Sequence, residues 1–246
     1  MIVTEADPLY VIRFFEVFFA EVPIDRIEIV GVTVSRAFHE PMLATARRIL
    51  RFYGWVDFLR LLSRWGWAKV RGRSITRLAR ERGFSIVETA SVNAQEYLDR
   101  LRGLDLDVVV SVAAPEIFKA PLLGLPRLGC VNIHSGRLPK YRGMMPTFWQ
   151  MLHREPAVTV TIHRMVEKLD AGEILAEETF ALEDRDRLDR VIVGTKQLGA
   201  RMMISTLLEL EQRLANGREP SGESGYHRFP TPEHVKAFRR LGHRML

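Results

Sequence analysis

Residues 130–146 read CVNIHSGRLPKYRGMMP, an apolar strand running into a basic, glycine-containing loop. In Val131-Asn132-Ile133-His134 side chains alternate faces with period two. Val131 and Ile133 can therefore point into a core while Asn132 and His134 share the opposite face. An amide and an imidazole side by side at the end of such a strand, just before a loop, are placed to do chemistry. Asp170 follows in a second punctuated loop, KLDAGEI. Together these three groups can bind a developing oxyanion, move a proton and deprotonate a nucleophile.

Working outward, the chain alternates between strands and helices. Met1–Thr4 reads as a short strand, Glu5-Ala6-Asp7-Pro8 as a polar turn, Leu9–Val22 as an apolar helix and Asp25–Ser35 as a strand. The pattern recurs as helix 74–82, strand 84–89, helix 94–102, strand 106–112 and the strand of Asn132. Such alternation predicts an α/β fold, a mostly parallel central sheet with helices on both faces, and ligands beyond the carboxyl ends of its strands. Further on come a helix over Pro146–His153, strands over Val158–His163 and Glu173–Leu182, and a long helix over Asp189–Leu214. A catalytic domain is expected over residues 1–215. Residues 216–246 open with Gly, Pro and Ser and read as a linker followed by a small basic helix near Pro232–Leu241.

Residues 36–73 break this rhythm and read as two or three inserted helices rich in Arg, Trp, Phe and Leu. Trp55, Leu59, Leu62, Trp65 and Trp67 are expected to pack on the domain or on a second copy of the chain. An active-site lid and contact with a membrane surface are the less favoured readings, the latter because basic helices with Trp bind interfaces.

With 246 residues, 47% hydrophobic and 27% charged, the composition suits one well-buried globular domain. The single cysteine, Cys130, excludes an intramolecular disulfide and a cysteine metal cage, and suits a reducing, cytoplasmic setting. It reads as a small buried residue rather than a nucleophile. Seven histidines form no metal-binding spacing, so no metal is expected. The net charge of +6 favours an anionic partner without identifying one. The amino-terminal residues carry no secretory signal, and the apolar run after them is too short and too interrupted to span a bilayer.

The ordered set Asn132-Ile133-His134, Leu138-Pro139-Lys140-Tyr141-Arg142-Gly143, Val160-Thr161-Ile162-His163 and Leu169-Asp170-Ala171-Gly172 resembles the N10-formyltetrahydrofolate-dependent formyltransferases in order and spacing. Roughly residues 80–210 share the pattern. The resemblance implies a Rossmann-like formyltransferase fold and N10-formyltetrahydrofolate as co-substrate, with no metal. It implies that Asn132 donates to the oxyanion and that His134 donates to the same oxygen or passes a proton to the leaving nitrogen. Asp170, directly or through a water, takes the proton of the incoming ammonium. His163 is read as structural, orienting the Asp170 loop by hydrogen bonds. The folate pocket carries over to Ala114, Pro115, Glu116, Ile117 and Phe118 on one side and Val166, Glu167 and Leu169 on the other. Ile117 and Phe118 read equally well as ordinary core.

Two departures bear on the acceptor. The resemblance to methionyl-tRNA formyltransferases does not extend to their C-terminal β-barrel domain, and Met144-Met145-Pro146-Thr147-Phe148-Trp149 replaces their usual motif. In place of the Gly-rich phosphate turn of glycinamide ribonucleotide transformylases stands Thr4-Glu5-Ala6-Asp7-Pro8, whose acids would repel a phosphate. The M-M-P-T-F-W run is similar to stand-alone formyltransferases of amino-sugar and surface-polysaccharide biosynthesis. The expected acceptor is thus the primary amine of a nucleotide-linked amino sugar. Arg137, Lys140 and Arg142 are its candidate anion contacts, or else a solvated basic loop. A methionyl-tRNA or other aminoacyl formyltransferase, which would make nucleic acid a partner, is the alternative enzyme. A non-catalytic folate- or nucleotide-binding relative is the contrasting class.

Overall fold

The computed structural model describes residues 1–35 and 42–246. The first six residues of the expected insertion therefore lie outside the described residues. Strand β1 (Ile2–Glu5), helix α1 (Val11–Glu21) and β2 (Val32–Ser35) are followed by a helical stretch, α2 (Met42–Tyr53), α3 (Trp55–Val70), α4 (Ile75–Glu81) and α5 (Gln95–Arg102). Then come β3 (Val109–Val112), α6 (Ala120–Leu123), β4 (Cys130–His134), β5 (Arg142–Gly143) and α7 (Pro146–Leu152). The chain continues through β6 (Ala157–Arg164), β7 (Ile174–Ala181), α8 (Leu188–Leu208), α9 (Leu210–Ala215), β8 (Tyr226–His227) and α10 (Pro232–Arg240).

The central sheet has the order β2-β1-β3-β4-β6-β7. Its β2–β1, β1–β3 and β3–β4 pairings are parallel, and β4–β6 and β6–β7 are antiparallel. Period-two alternation sorts the strand residues onto two helical layers. Ile2, Val110, Val131 and Ile133 pack with α1, α4 and α8, whereas Val3, Val109 and Cys130 pack with α5 and α6. Helices thus cover both faces of an α/β sheet. Helix α1 is apolar over most of its circumference because it packs both on the sheet and along α8. Phe14, Phe15, Phe18 and Phe19 are all buried, each contributing about 1.5–3 kcal/mol by leaving water. Its start is fixed by the Asp7 carboxylate, which accepts from the backbone N–H groups of Leu9 (2.7 Å), Tyr10 (3.2 Å) and Val11 (3.3 Å). An acid occupies the position where a phosphate-binding turn would present free amides.

Several elements are shorter than expected. The strand expected over Asp25–Ser35 is confined to Val32–Ser35, because Arg26 and Ile27 donate back to the Pro23 carbonyl and hold a turn there. Residues 84–89 contribute only a bridge between Ile86 and Val32 at the sheet edge. The long helix breaks at Glu209, whose φ of −121° leaves the helical region, dividing it into α8 and α9. Beyond residue 215 the chain returns to the body. Strand β8 pairs in parallel with β5, and the α10 residue Phe238 stacks on Phe148 of α7 at 4.7 Å.

The inserted helices differ most from expectation. Trp55, Leu59, Leu62, Trp65 and Trp67 do not pack on the domain but are exposed, and only Leu61 and Ala68 of α3 are buried. The residues between the exposed ones, not the Trp/Leu set, make the contact.

Candidate active site

Strand β4 delivers Asn132 and His134 to the carboxyl edge of the sheet, and β6 delivers His163 beside them. Antiparallel register sets Asn132 directly opposite His163. The pair is hydrogen-bonded, and the hydrogen-bond partners decide the tautomer. His163 Nδ1 lies 2.9 Å from the Arg164 carbonyl, which can only accept, so Nδ1 carries the proton. Nε2 is then an acceptor and takes an N–H from Asn132 Nδ2 at 3.1 Å. One amide hydrogen of Asn132 is spent in this way, and the second remains for the cavity. Burial, with the neighbouring His134 charge, pushes the His163 pKa down to about 4 against the opposing pull of Asp170, so the ring is neutral near pH 7.

His134 is fixed in the same manner. Its Nε2 donates to the Tyr141 carbonyl at 2.6 Å, which leaves Nδ1 free to exchange a proton, facing Asp170 Oδ1 at 3.8 Å. Asp170 is buried in a left-handed backbone conformation, φ +48°. Its Oδ2 accepts from the Gly143 backbone N–H at 2.9 Å, and its Oδ1 lies 3.7 Å from His163 Nε2. His163 therefore does not orient the Asp170 loop by hydrogen bonds as expected; it orients Asn132. The loop is held instead by Gly143, and by a close approach at Gly172, where a Cβ would fall 2.0 Å from the Arg164 carbonyl oxygen.

The Leu138–Gly143 loop thus grips two of the three candidate catalytic side chains through its backbone, His134 at Tyr141 and Asp170 at Gly143. Its side chains serve other ends. Tyr141 is buried and donates to Glu155 at 2.8 Å. Lys140 pairs with Glu155 (3.1 Å) and Glu223 (3.4 Å), Arg142 donates to Ser224 Oγ (2.9 Å), and Arg137 is exposed. None of Arg137, Lys140 and Arg142 lines the cavity that Asn132, His134 and Asp170 border.

That cavity, about 780 Å³, is bordered by all eight residues expected to form the folate pocket: Ala114, Pro115, Glu116, Ile117, Phe118, Val166, Glu167 and Leu169. Ile117, Val166 and Leu169 expose apolar surface there, while Phe118 is also buried in the core. The 114–118 loop is braced from behind. Glu116 accepts from Ser91 Oγ (2.5 Å) and the Val92 amide (3.3 Å), and Asn93 bonds both the Ile117 carbonyl and the Lys119 amide at 2.9 Å. A rigid, apolar-walled slot with backbone polar groups suits a flat heteroaromatic ligand.

Glu5 and Lys196 also border the cavity and were not singled out from sequence. Burial and Asp7 push the Glu5 carboxyl up to about 7 against the pull of Lys196, and burial lowers Lys196. The position of Glu5 at the carboxyl end of the first strand is a signal that could have found it; Lys196 sits mid-helix with none. Tyr226 and Phe229, from beyond residue 215, complete the wall. Cys130 is buried with its thiol pushed up to about 12 by burial, which makes it unreactive. Among the described residues no group of three His, Cys, Asp or Glu could hold a metal ion.

The family model for formyl transferases matches residues 64–207, more than half of the chain and a span that includes Asn132, His134 and Asp170. The chain belongs to the formyl transferase family. A methionyl-tRNA formyltransferase of Caldanaerobacter subterraneus is 31% identical over 167 residues, 67% of this chain and 54% of that protein. The chain spans about half the length of the curated relatives it matches. Among solved structures, a sugar N-formyltransferase from Shewanella overlays 98% of this chain and 87% of its own, with a TM-score of 0.55 and 18% identity. Glycinamide ribonucleotide transformylase 1 of Geobacillus kaustophilus overlays 85% of this chain and 96% of its own, with a TM-score of 0.61 and 14% identity. These two show the shared Rossmann-like formyltransferase fold.

Proposed function

We propose that the protein transfers a formyl group from N10-formyltetrahydrofolate to a primary amine, and that this amine belongs to a nucleotide-linked amino sugar. The observation that carries the first half is the convergence of Asn132, His134 and Asp170 on one cavity with an apolar, loop-walled slot. The folate would lie between the 114–118 and 166–169 loops and supply an electrophilic formyl carbon. The free amide hydrogen of Asn132 meets the oxygen that becomes negative when the amine attacks. Asp170 removes a proton from the ammonium so that the neutral amine can attack, and that proton passes through His134 Nδ1, which faces Asp170, to the departing nitrogen.

Support for the amino sugar comes from the Met144–Trp149 run and from the acid-capped first helix, which offers no phosphate turn for a ribonucleotide. The sequence similarity to methionyl-tRNA formyltransferases favours the second reading, formylation of a charged initiator tRNA. A panel of 3- and 4-amino nucleotide sugars set beside methionyl-tRNA separates the two, with tetrahydrofolate release as readout. Turnover with an amino sugar alone is the expected result. Turnover with the tRNA alone would replace the acceptor while leaving the site intact.

A further inference from the structure

The net positive charge of this chain is concentrated in one segment. Residues 42–73 hold eight Lys or Arg against the single acid Asp57, a net +7, so the remainder of a chain carrying +6 sums to −1. This segment is the α2–α3 hairpin, and α3 meets the domain along a narrow strip only. Leu61 and Ala68, two turns apart, are its buried residues. At 3.6 residues per turn the opposite face collects Trp55, Leu59, Leu62 and Val70, with Trp67 on one border and Trp65 nearer the buried strip. All six are exposed, Trp55 to 70%, Leu59 to 57% and Trp67 to 63%. Arg60, Arg64 and Arg71 run down one flank, Arg60 paired with Asp57 and Arg64 with Asp189, and Lys69 sits on the other. Lys69 and Arg71 lie over the Trp65 and Trp67 rings at 5.3 and 5.2 Å. A surface helix normally turns its apolar stripe to the core; α3 turns its own outward.

A patch of this kind marks an interaction surface, and its chemistry selects the partner. Arg64 pairs with Asp189 and Arg73 with Glu16, yet a second copy of the chain would still set two net-positive hairpins within a Debye length of about 8 Å, where they repel. Nucleic acid would satisfy the arginines but leave Leu59, Leu62 and Val70 against phosphate. An anionic lipid headgroup layer satisfies both: the apolar face enters the acyl boundary, the flanking cations meet the phosphates, and Trp takes the interface. Among the described residues no helix is long and apolar enough to cross a membrane, so the helix would lie on the surface. We propose that α3 is an interfacial helix that seats this protein on anionic lipid.

The test uses flotation of the full chain with vesicles of phosphatidylcholine, with and without phosphatidylglycerol. Binding is expected to be more than about tenfold stronger with the anionic lipid. Three of the four tryptophans lie on α3 and the fourth, Trp149, is buried, so a blue shift of emission should accompany binding. The exposed double change Leu59→Gln/Leu62→Gln should abolish both signals while the circular dichroism spectrum stays native. Arg60→Glu/Lys69→Glu should remove the preference for phosphatidylglycerol. Equal binding to both vesicles, or none to either, overturns the proposal. So does a salt-sensitive RNA complex, or a dimer in sedimentation that dissociates in the Leu59/Leu62 variant, if the vesicles leave tryptophan emission unchanged.

Discussion

At the scale of single residues, Asn132 and His163 form a unit in which only a neutral imidazole works. Protonated, His163 would present N–H groups at both nitrogens and could no longer accept from the Asn132 amide. The folded-state pKa lies below the unfolded value of 6.5, at about 4. The stability it contributes is therefore fully present above 6.5 and is lost as pH falls through 4. An NMR titration should find the His163 ring still neutral at about pH 5.5, and a midpoint above its ordinary value would contradict the assignment. Asn132→Ala removes the proposed oxyanion donor and should lower kcat about 100–1000-fold with little change in folate affinity. A loss confined to KM would mean that Asn132 only binds.

The elements around the site are held by close backbone approaches rather than by their charged side chains. Gly143 has φ +96° and a Cβ there would fall 2.3 Å from the His227 carbonyl oxygen, while its N–H supports Asp170. Gly143→Ala should therefore cost about 1–3 kcal/mol of stability and reduce activity together with it; calorimetry beside a turnover assay measures both. A variant that keeps wild-type Tm and rate would show that β5 and β8 do not support the site. This brace also marks what could be read from sequence. The strand of Asn132 and the sharing of one face by Asn132 and His134 follow from period-two alternation, and the eight residues around the slot from the family resemblance that local motifs carry. The β4–β6 register that joins Asn132 to His163, the pairing of β5 with β8, and the outward turn of α3 depend on which distant segments meet. Local patterning carries no record of that. The same limit explains Asp25–Ser35, where apolar residues read as a strand but a turn at Pro23 keeps most of them out of the sheet.

At the scale of the whole molecule, residues beyond 215 are part of what shapes the cavity. Tyr226 and Phe229 border it, Val235 and Phe238 are buried against the α7 side, and Met245 is buried with them. Deleting residues 216–246 should lower Tm and abolish turnover, both measurable on the purified truncation; unchanged kcat and Tm would show that the tail is dispensable. The central claim concerns the three converging groups, and the most direct measurement compares the wild-type chain with Asp170→Asn for folate binding and for single-turnover formyl transfer. The account predicts folate affinity within about threefold of wild type and a transfer rate lowered about 100–10,000-fold. Transfer at the wild-type rate in Asp170→Asn, or a wild-type chain that neither binds the folate nor releases tetrahydrofolate with any amine, would contradict it.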